Sequence, residues 1–237
     1  MNKPQLFLLH FAGGNYYSFH FLLPLLQDFH VFPIELPGRG KRIHEGLLTD
    51  FDKAAQDIYA QIMKNLTTSG FLIYGHSMGA YLALRVVNIL EKKGRSPACL
   101  IVSGNAGPGI GKEKFTYLLG HQEFISKLES LGGVPSELME NKELFNFFEP
   151  ILRADFEVAE KNGLKDEPAV NAPLYAIMGS DEEQVDQISN WGKFTRSGFS
   201  YEILSGDHFF IHRHPERISN IIKEFYTNAI SSKYIII

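Results

Sequence analysis

Short apolar runs alternate along the chain with longer stretches in which apolar residues recur every three or four positions. The short runs are residues 5–10 (QLFLLH), 30–36 (HVFPIEL), 70–75 (GFLIYG), 98–103 (ACLIVS), 172–179 (APLYAIMG) and 199–204 (FSYEIL). Such runs, bounded by Gly, Pro and polar residues, predict buried strands. Residues 49–66 place Phe51, Ala55, Ile58, Ile62 and Leu66 on one helical face, and Thr49 followed by Asp52 resembles a capping start. Residues 78–93 read as a second helix closed by Lys92, Lys93 and Gly94, which suit a helix C-terminus. Residues 16–29 read as helical or loop-helical, interrupted by Pro24, and residues 215–228 as a last helix. Strands alternating with helices predict an α/β fold with a mainly parallel sheet covered on both faces.

One stretch breaks the rhythm. Residues 106–169 hold no convincing strand, yet carry Phe115, Phe124, Leu128, Leu138, Met139, Phe145, Leu152 and Phe156 among polar positions. They read as several short helices inserted between two strands. An insertion of this kind is either a structural elaboration or a lid over an apolar channel. Residues 1–237 are read as one domain carrying that insertion. The terminal Tyr234-Ile235-Ile236-Ile237 is expected to be a loosely docked end.

Composition narrows the function classes. Lys+Arg number 23 and Asp+Glu 27, a formal charge of −4, which argues against general nucleic-acid binding. A single cysteine excludes an intrachain disulfide, and Cys99 reads as a small buried apolar residue. The run of residues 6–9 is too short for a secretory core, and no stretch is long and apolar enough for a membrane span. A cytoplasmic protein with no membrane partner is the expectation, with a monomer as the default.

The chemistry gathers around Gly75-His76-Ser77-Met78-Gly79, a G-x-S-x-G match. A buried-type strand leads into it and a helix leads out, the setting in which a sharp turn lifts a serine hydroxyl above a sheet edge. A serine nucleophile needs a base, and the base an orienting acid, here in the order Ser, acid, His. Of nine histidines, only His208, His212 and His214 follow a suitable acid; His208, in the short turn after residues 199–204, is preferred. For the acid, Asp181 competes with Glu182, Glu183 and Asp186; Asp181 is preferred because it follows its strand most closely. Asp207 reads as a turn residue. The oxyanion hole needs two backbone N–H groups. One is expected from Met78, the other from Phe11-Ala12-Gly13-Gly14, with Ala12 preferred to Phe11. Neither paired-Cys nor H-E-x-x-H spacing marks a metal site, and no G-x-G-x-x-G opens a helix after a strand.

With these residues in view, the sequence resembles the type II thioesterases of non-ribosomal peptide and polyketide synthases, which have the α/β-hydrolase fold. The resemblance rests on His10-Phe11-Ala12-Gly13-Gly14, Leu36-Pro37-Gly38-Arg39-Gly40, Gly75-His76-Ser77-Met78-Gly79, Leu152-Arg153-Ala154-Asp155-Phe156 and Gly206-Asp207-His208-Phe209-Phe210. It departs at His10, where members often carry Pro. The resemblance implies a triad of Ser77, Asp181 and His208, oxyanion donors at Met78 and Ala12, and a helical lid. It implies hydrolysis of acyl groups from the phosphopantetheine arms of acyl or peptidyl carrier proteins, with no cofactor beyond the arm the substrate brings. The rivals are a small-molecule esterase or lipase with the same triad, and a non-catalytic ligand receptor of the same fold. Arg39, Lys41 and Arg42 read either as solvated surface or as a site for an acidic carrier or its phosphate. Arg153 and Asp155 read as structural, pairing to hold the lid.

Overall fold

The apolar runs become six strands: β1 (Gln5–Leu9), β2 (His30–Ile34), β3 (Phe71–His76), β4 (Leu100–Ser103), β5 (Leu174–Gly179) and β6 (Phe199–Leu204). The computed structural model describes residues 3–111, 115–133 and 141–234, with side chains up to residue 231. The strands form one sheet in the order β2-β1-β3-β4-β5-β6, every neighbouring pair parallel. Leu9 lies level with Gly75, His76 with Ser103, and Gly179 with Leu204. The C-terminal ends of the strands therefore finish along one edge.

Side chains alternate between the two faces, as a pleated strand requires. Phe7, Ile73, Leu100 and Ala176 pack with α1 (Phe51–Asn65) and α2 (Met78–Lys92). Leu8, Leu72, Cys99 and Ile101 pack on the other face with Phe19, Leu22 and α5 (Pro215–Tyr234), through Ile218 and Ile222. Because both faces are covered, the strands are nearly continuous in apolar residues.

Element ends differ from the sequence expectation where caps decide. The side chain of Asp50 accepts the Lys53 N–H at 2.8 Å, so α1 starts at Phe51 rather than near Thr49. Within residues 16–29 the chain runs in turns, and Leu23–Leu25 forms a 3-10 turn with Pro24 in its first turn. The last helix continues to Tyr234, beyond 228. Among the described residues 106–169 there is no strand. The insertion holds a 3-10 turn (Thr116–Leu118), α3 (His121–Leu131) and α4 (Lys142–Glu160). At 19 residues α4 is no short helix, and it runs through Pro150. Phe145 and Leu152 on its face, one turn apart twice over, pack with Phe124 and Leu128 of α3. Leu138, Met139 and the tail 235–237 lie outside the described residues. No described helix is long and apolar enough to cross a membrane.

Candidate active site

The turn between β3 and α2 holds Ser77 at φ 57° and ψ −115°, a conformation that side chains rarely adopt. Its neighbours explain how that turn closes. A Cβ on Gly75 would overlap the Gly79 carbonyl, and one on Gly79 would overlap the Leu9 carbonyl. Both positions must be glycine for strand and helix to approach this closely. The Ser77 N–H bonds the Ser103 carbonyl at 2.7 Å, and the Asn105 amide donates to the Ser77 carbonyl at 3.0 Å. The strained residue is thus tied to the end of β4 on both sides.

His208 sits in the turn after β6, with its Nε2 2.9 Å from the Ser77 hydroxyl oxygen. Its Nδ1 lies 2.7 Å from Glu182 Oε2. An ionised carboxylate only accepts, so Nδ1 carries the proton and Nε2 is free to accept the Ser77 O–H. Glu182 is itself held, its Oε1 accepting the Gly179 N–H at 2.8 Å. His76 lies beneath His208, with ring centroids 5.2 Å apart. Burial first, then the neighbouring His208 and His212, hold His76 well below the usual histidine range, so it is neutral. Its Nδ1 meets Ser103 Oγ, which meets the Tyr74 hydroxyl, each at 2.8 Å.

Asp181, expected beside the imidazole, does not reach it; the next residue does. Asp181 is exposed and accepts the Ser180 hydroxyl at 2.8 Å; the carboxylate on His208 belongs to Glu182. The cause is the turn after β5. The Glu182 N–H returns to the Gly179 carbonyl at 3.2 Å, closing a four-residue turn that folds the fourth residue back over the strand end. Asp181 lies on the outside of that turn. The spacing glycine-x-x-acid was the available signal. Asp207 is a turn residue, its carboxylate accepting the Phe209 N–H at 2.8 Å. His212 stacks on Phe209, and His214 bonds the Ser205 carbonyl at 2.7 Å.

The loop after β1 faces this group. Gly14 N–H bonds the Phe11 carbonyl at 2.9 Å, and Gly13 N–H bonds Asp155 Oδ2 at 2.7 Å. Ala12 lines the same cavity as Ser77 and Met78. As the first residue of α2, Met78 has an N–H that no intrahelical carbonyl can take. The Phe11 ring packs edge-on against Phe209 and Phe19. The cavity encloses about 490 Å³ of empty space, part of it open to solvent, and Leu128, Leu131, Leu152, Phe156 and Ala159 form its apolar wall.

Two expectations about charged residues are corrected. The basic group is not one solvated patch. Arg39 is buried and forms a double contact with the carboxylate of Asp155; Arg42 pairs with Glu45 and Asp57; the Lys41 ammonium sits 3.7 Å above the Tyr16 ring. Nor does Arg153 pair with Asp155, since residues two apart on a helix point apart. Arg153 instead meets Glu149 and the carbonyls of Tyr117 and Leu119. The Arg39–Asp155 contact is not legible in the sequence because no local spacing marks a pair 116 residues apart.

A parallel sheet with helices on both faces, and a serine raised on a strand–helix turn beside a histidine, define an α/β-hydrolase. The chain belongs to the thioesterase family, whose domain model matches residues 4–226, and is a hydrolase of thioesters. Linear gramicidin dehydrogenase LgrE of Brevibacillus parabrevis is 31% identical over 228 residues, covering 92% of this chain and 86% of its own. Gramicidin S biosynthesis protein GrsT of Aneurinibacillus migulanus is 32% identical over 217 residues, covering 89% and 84%. Among solved structures, YbtT, the type II thioesterase of the yersiniabactin pathway, matches with a TM-score of 0.87 at 27% identity, covering 96% of this chain and 94% of its own. The dehydrogenase in the first name is said of that protein alone.

Proposed function

We propose that the chain is a stand-alone type II thioesterase that clears acyl groups from the phosphopantetheine arms of carrier proteins in non-ribosomal peptide or polyketide synthesis. The observation that carries the chemistry is the hydrogen-bonded series Glu182–His208–Ser77, 2.7 Å and 2.9 Å. Ser77 Oγ attacks the thioester carbonyl carbon while His208 Nε2 takes its proton. Glu182 holds the imidazole in the tautomer that accepts and stabilises the cation that forms. The N–H groups of Met78 and Ala12 receive the negative oxygen; one such donor stabilises a transition state by about 2.7–4 kcal/mol. The carbon–sulfur bond then breaks, and the arm's sulfur leaves with the proton from His208. Water attacks the Ser77 ester, His208 again taking and returning the proton, and the free acid departs.

Support for the substrate class comes from the relatives, which are named for gramicidin S biosynthesis, for anguibactin biosynthesis and for the yersiniabactin NRPS/PKS pathway. Support for an apolar acyl group comes from the cavity wall, to which α3 and α4 contribute as a lid. The deciding experiment compares one acyl group on a phosphopantetheinylated carrier and on a simple oxygen ester, with Ser77→Ala as the control. The carrier thioester is expected to be cleaved with the higher kcat/KM, and the control to be silent on both. Equal or inverted efficiency would identify a small-molecule esterase instead.

A further inference from the structure

One buried polar cluster lies outside the mechanism. Asp155 is wholly buried on α4, and Arg39 is almost as deeply buried in the turn after β2. Arg39 Nη2 donates to Asp155 Oδ1 at 2.7 Å, and Arg39 Nη1 donates to Oδ2. A buried ion pair is seldom more stabilising than apolar residues of the same size. The reason for this one is found in what else it touches. Asp155 Oδ2 accepts the Gly13 N–H at 2.7 Å, 142 residues away, and Arg39 Nη1 reaches the Gly14 carbonyl at 3.4 Å.

We propose that Asp155, held by Arg39, is a positioning residue that sets the oxyanion loop and ties it to the lid helix. The inference rests on the reading of Ala12 as an oxyanion donor. A trans peptide is planar, with its N–H and C=O pointing in opposite directions. The Gly13 N–H shares a plane with the Ala12 carbonyl, so Asp155 fixes that plane. The preceding plane carries the Ala12 N–H and the Phe11 carbonyl. That carbonyl accepts from Gly14 N–H at 2.9 Å and from His10 Nδ1 at 2.8 Å. Two consecutive planes are therefore pinned, and the Ala12 N–H has one direction available.

The same helix supplies Leu152 and Phe156 to the cavity. A Cβ on Gly13 would meet Leu152 Cδ2 at 2.5 Å, so the loop lies directly against α4. An acyl chain seated on α4 and the loop that receives its oxyanion thus share one support.

The test uses the full chain and a small acyl-pantetheine thioester, with wild type and Ser77→Ala in parallel. The double variant Arg39→Met/Asp155→Leu keeps the volume apolar and removes the acceptor of the Gly13 N–H. Once folding is checked by circular dichroism, kcat is expected to fall about 10- to 100-fold with KM within about twofold. Affinity for an alkyl trifluoromethyl ketone, which forms an oxyanion adduct on the serine, is expected to weaken by the same factor. Binding of the product acid is expected to stay unchanged, which a general loss of structure would not allow. Asp155→Asn turns an NH2 either toward Arg39 Nη2 or toward Arg39 Nη1 and the Gly13 N–H, and a smaller loss in kcat with unchanged KM is expected. This single variant decides the matter if the double one does not fold. Wild-type kcat and inhibitor affinity in either folded variant would overturn the inference. Wild-type turnover that survives Ser77→Ala would instead show that the reading of the site is wrong, and the inference would fall with it.

Discussion

At residue 182 a difference of one position decides which carboxylate reaches the imidazole. The turn after β5 puts Glu182 on His208 and leaves Asp181 on a solvated serine hydroxyl. Glu182→Gln is expected to lower kcat on the order of 10³- to 10⁴-fold, because an amide favours the wrong tautomer. Asp181→Asn is expected to stay within about twofold, since a solvated carboxylate away from the imidazole has little leverage on the reaction. Steady-state hydrolysis of one thioester by both variants checks the pair, and the reverse order would reassign the acid. The meeting of Ser77 and His208 was legible because a G-x-S-x-G on a strand–helix junction, and a histidine after the last strand, carry their own positional signal. The carboxylate that meets His208 was not, because four carboxylates crowd residues 181–186 and only the closure of the turn selects among them.

Helix α4 shows how one element serves several tasks through its 3.6-residue period. Leu152 and Phe156, four apart, face the cavity, Asp155 faces Arg39 and the loop after β1, and Arg153 faces the turn at Tyr117 and Leu119. A bulky residue on the cavity face would shorten the space for an acyl chain. Ala159→Phe is expected to lower kcat/KM for a decanoyl thioester by about tenfold or more while leaving an acetyl thioester within about threefold. A chain-length series on the purified variant checks this, and equal losses for both substrates would move the acyl site elsewhere. The strands were readable as elements because parallel strands buried on both faces are continuous apolar runs. The length of α4 was hidden by Pro150, a residue that ordinarily marks a helix end.

Across the whole molecule, the residues gathered at the C-terminal edge of the sheet come from the turns after β1, β3, β5 and β6 and from the insertion, with further support from the ends of β2 and β4. That edge was expected from the alternation of strands and helices. The contact that ties the insertion to the first loop was not, because it depends on how the insertion packs. The same packing buries His10, whose pKa is lowered from 6.5 to about 4, chiefly by burial and then by Arg39. A histidine depressed in the folded state stabilises it fully above the unfolded value, where both states are neutral. Below about 6.5 the unfolded chain takes up a proton that the folded chain refuses. Stability therefore falls as pH drops from about 6.5 to about 4, and buried His76 adds to the loss in the same direction. Thermal unfolding followed across that range is expected to show a declining Tm, with a shallower decline in His10→Asn; a flat profile would show that neither ring is buried neutral. The covalent step is tested most directly by quenching the enzyme during turnover of an acyl thioester and mapping the acyl group by mass spectrometry. The expected result is one acyl group on the peptide containing Ser77, and neither adduct nor turnover in Ser77→Ala. An acyl group mapped to another residue, or thioester consumed at the wild-type rate by Ser77→Ala, would contradict it.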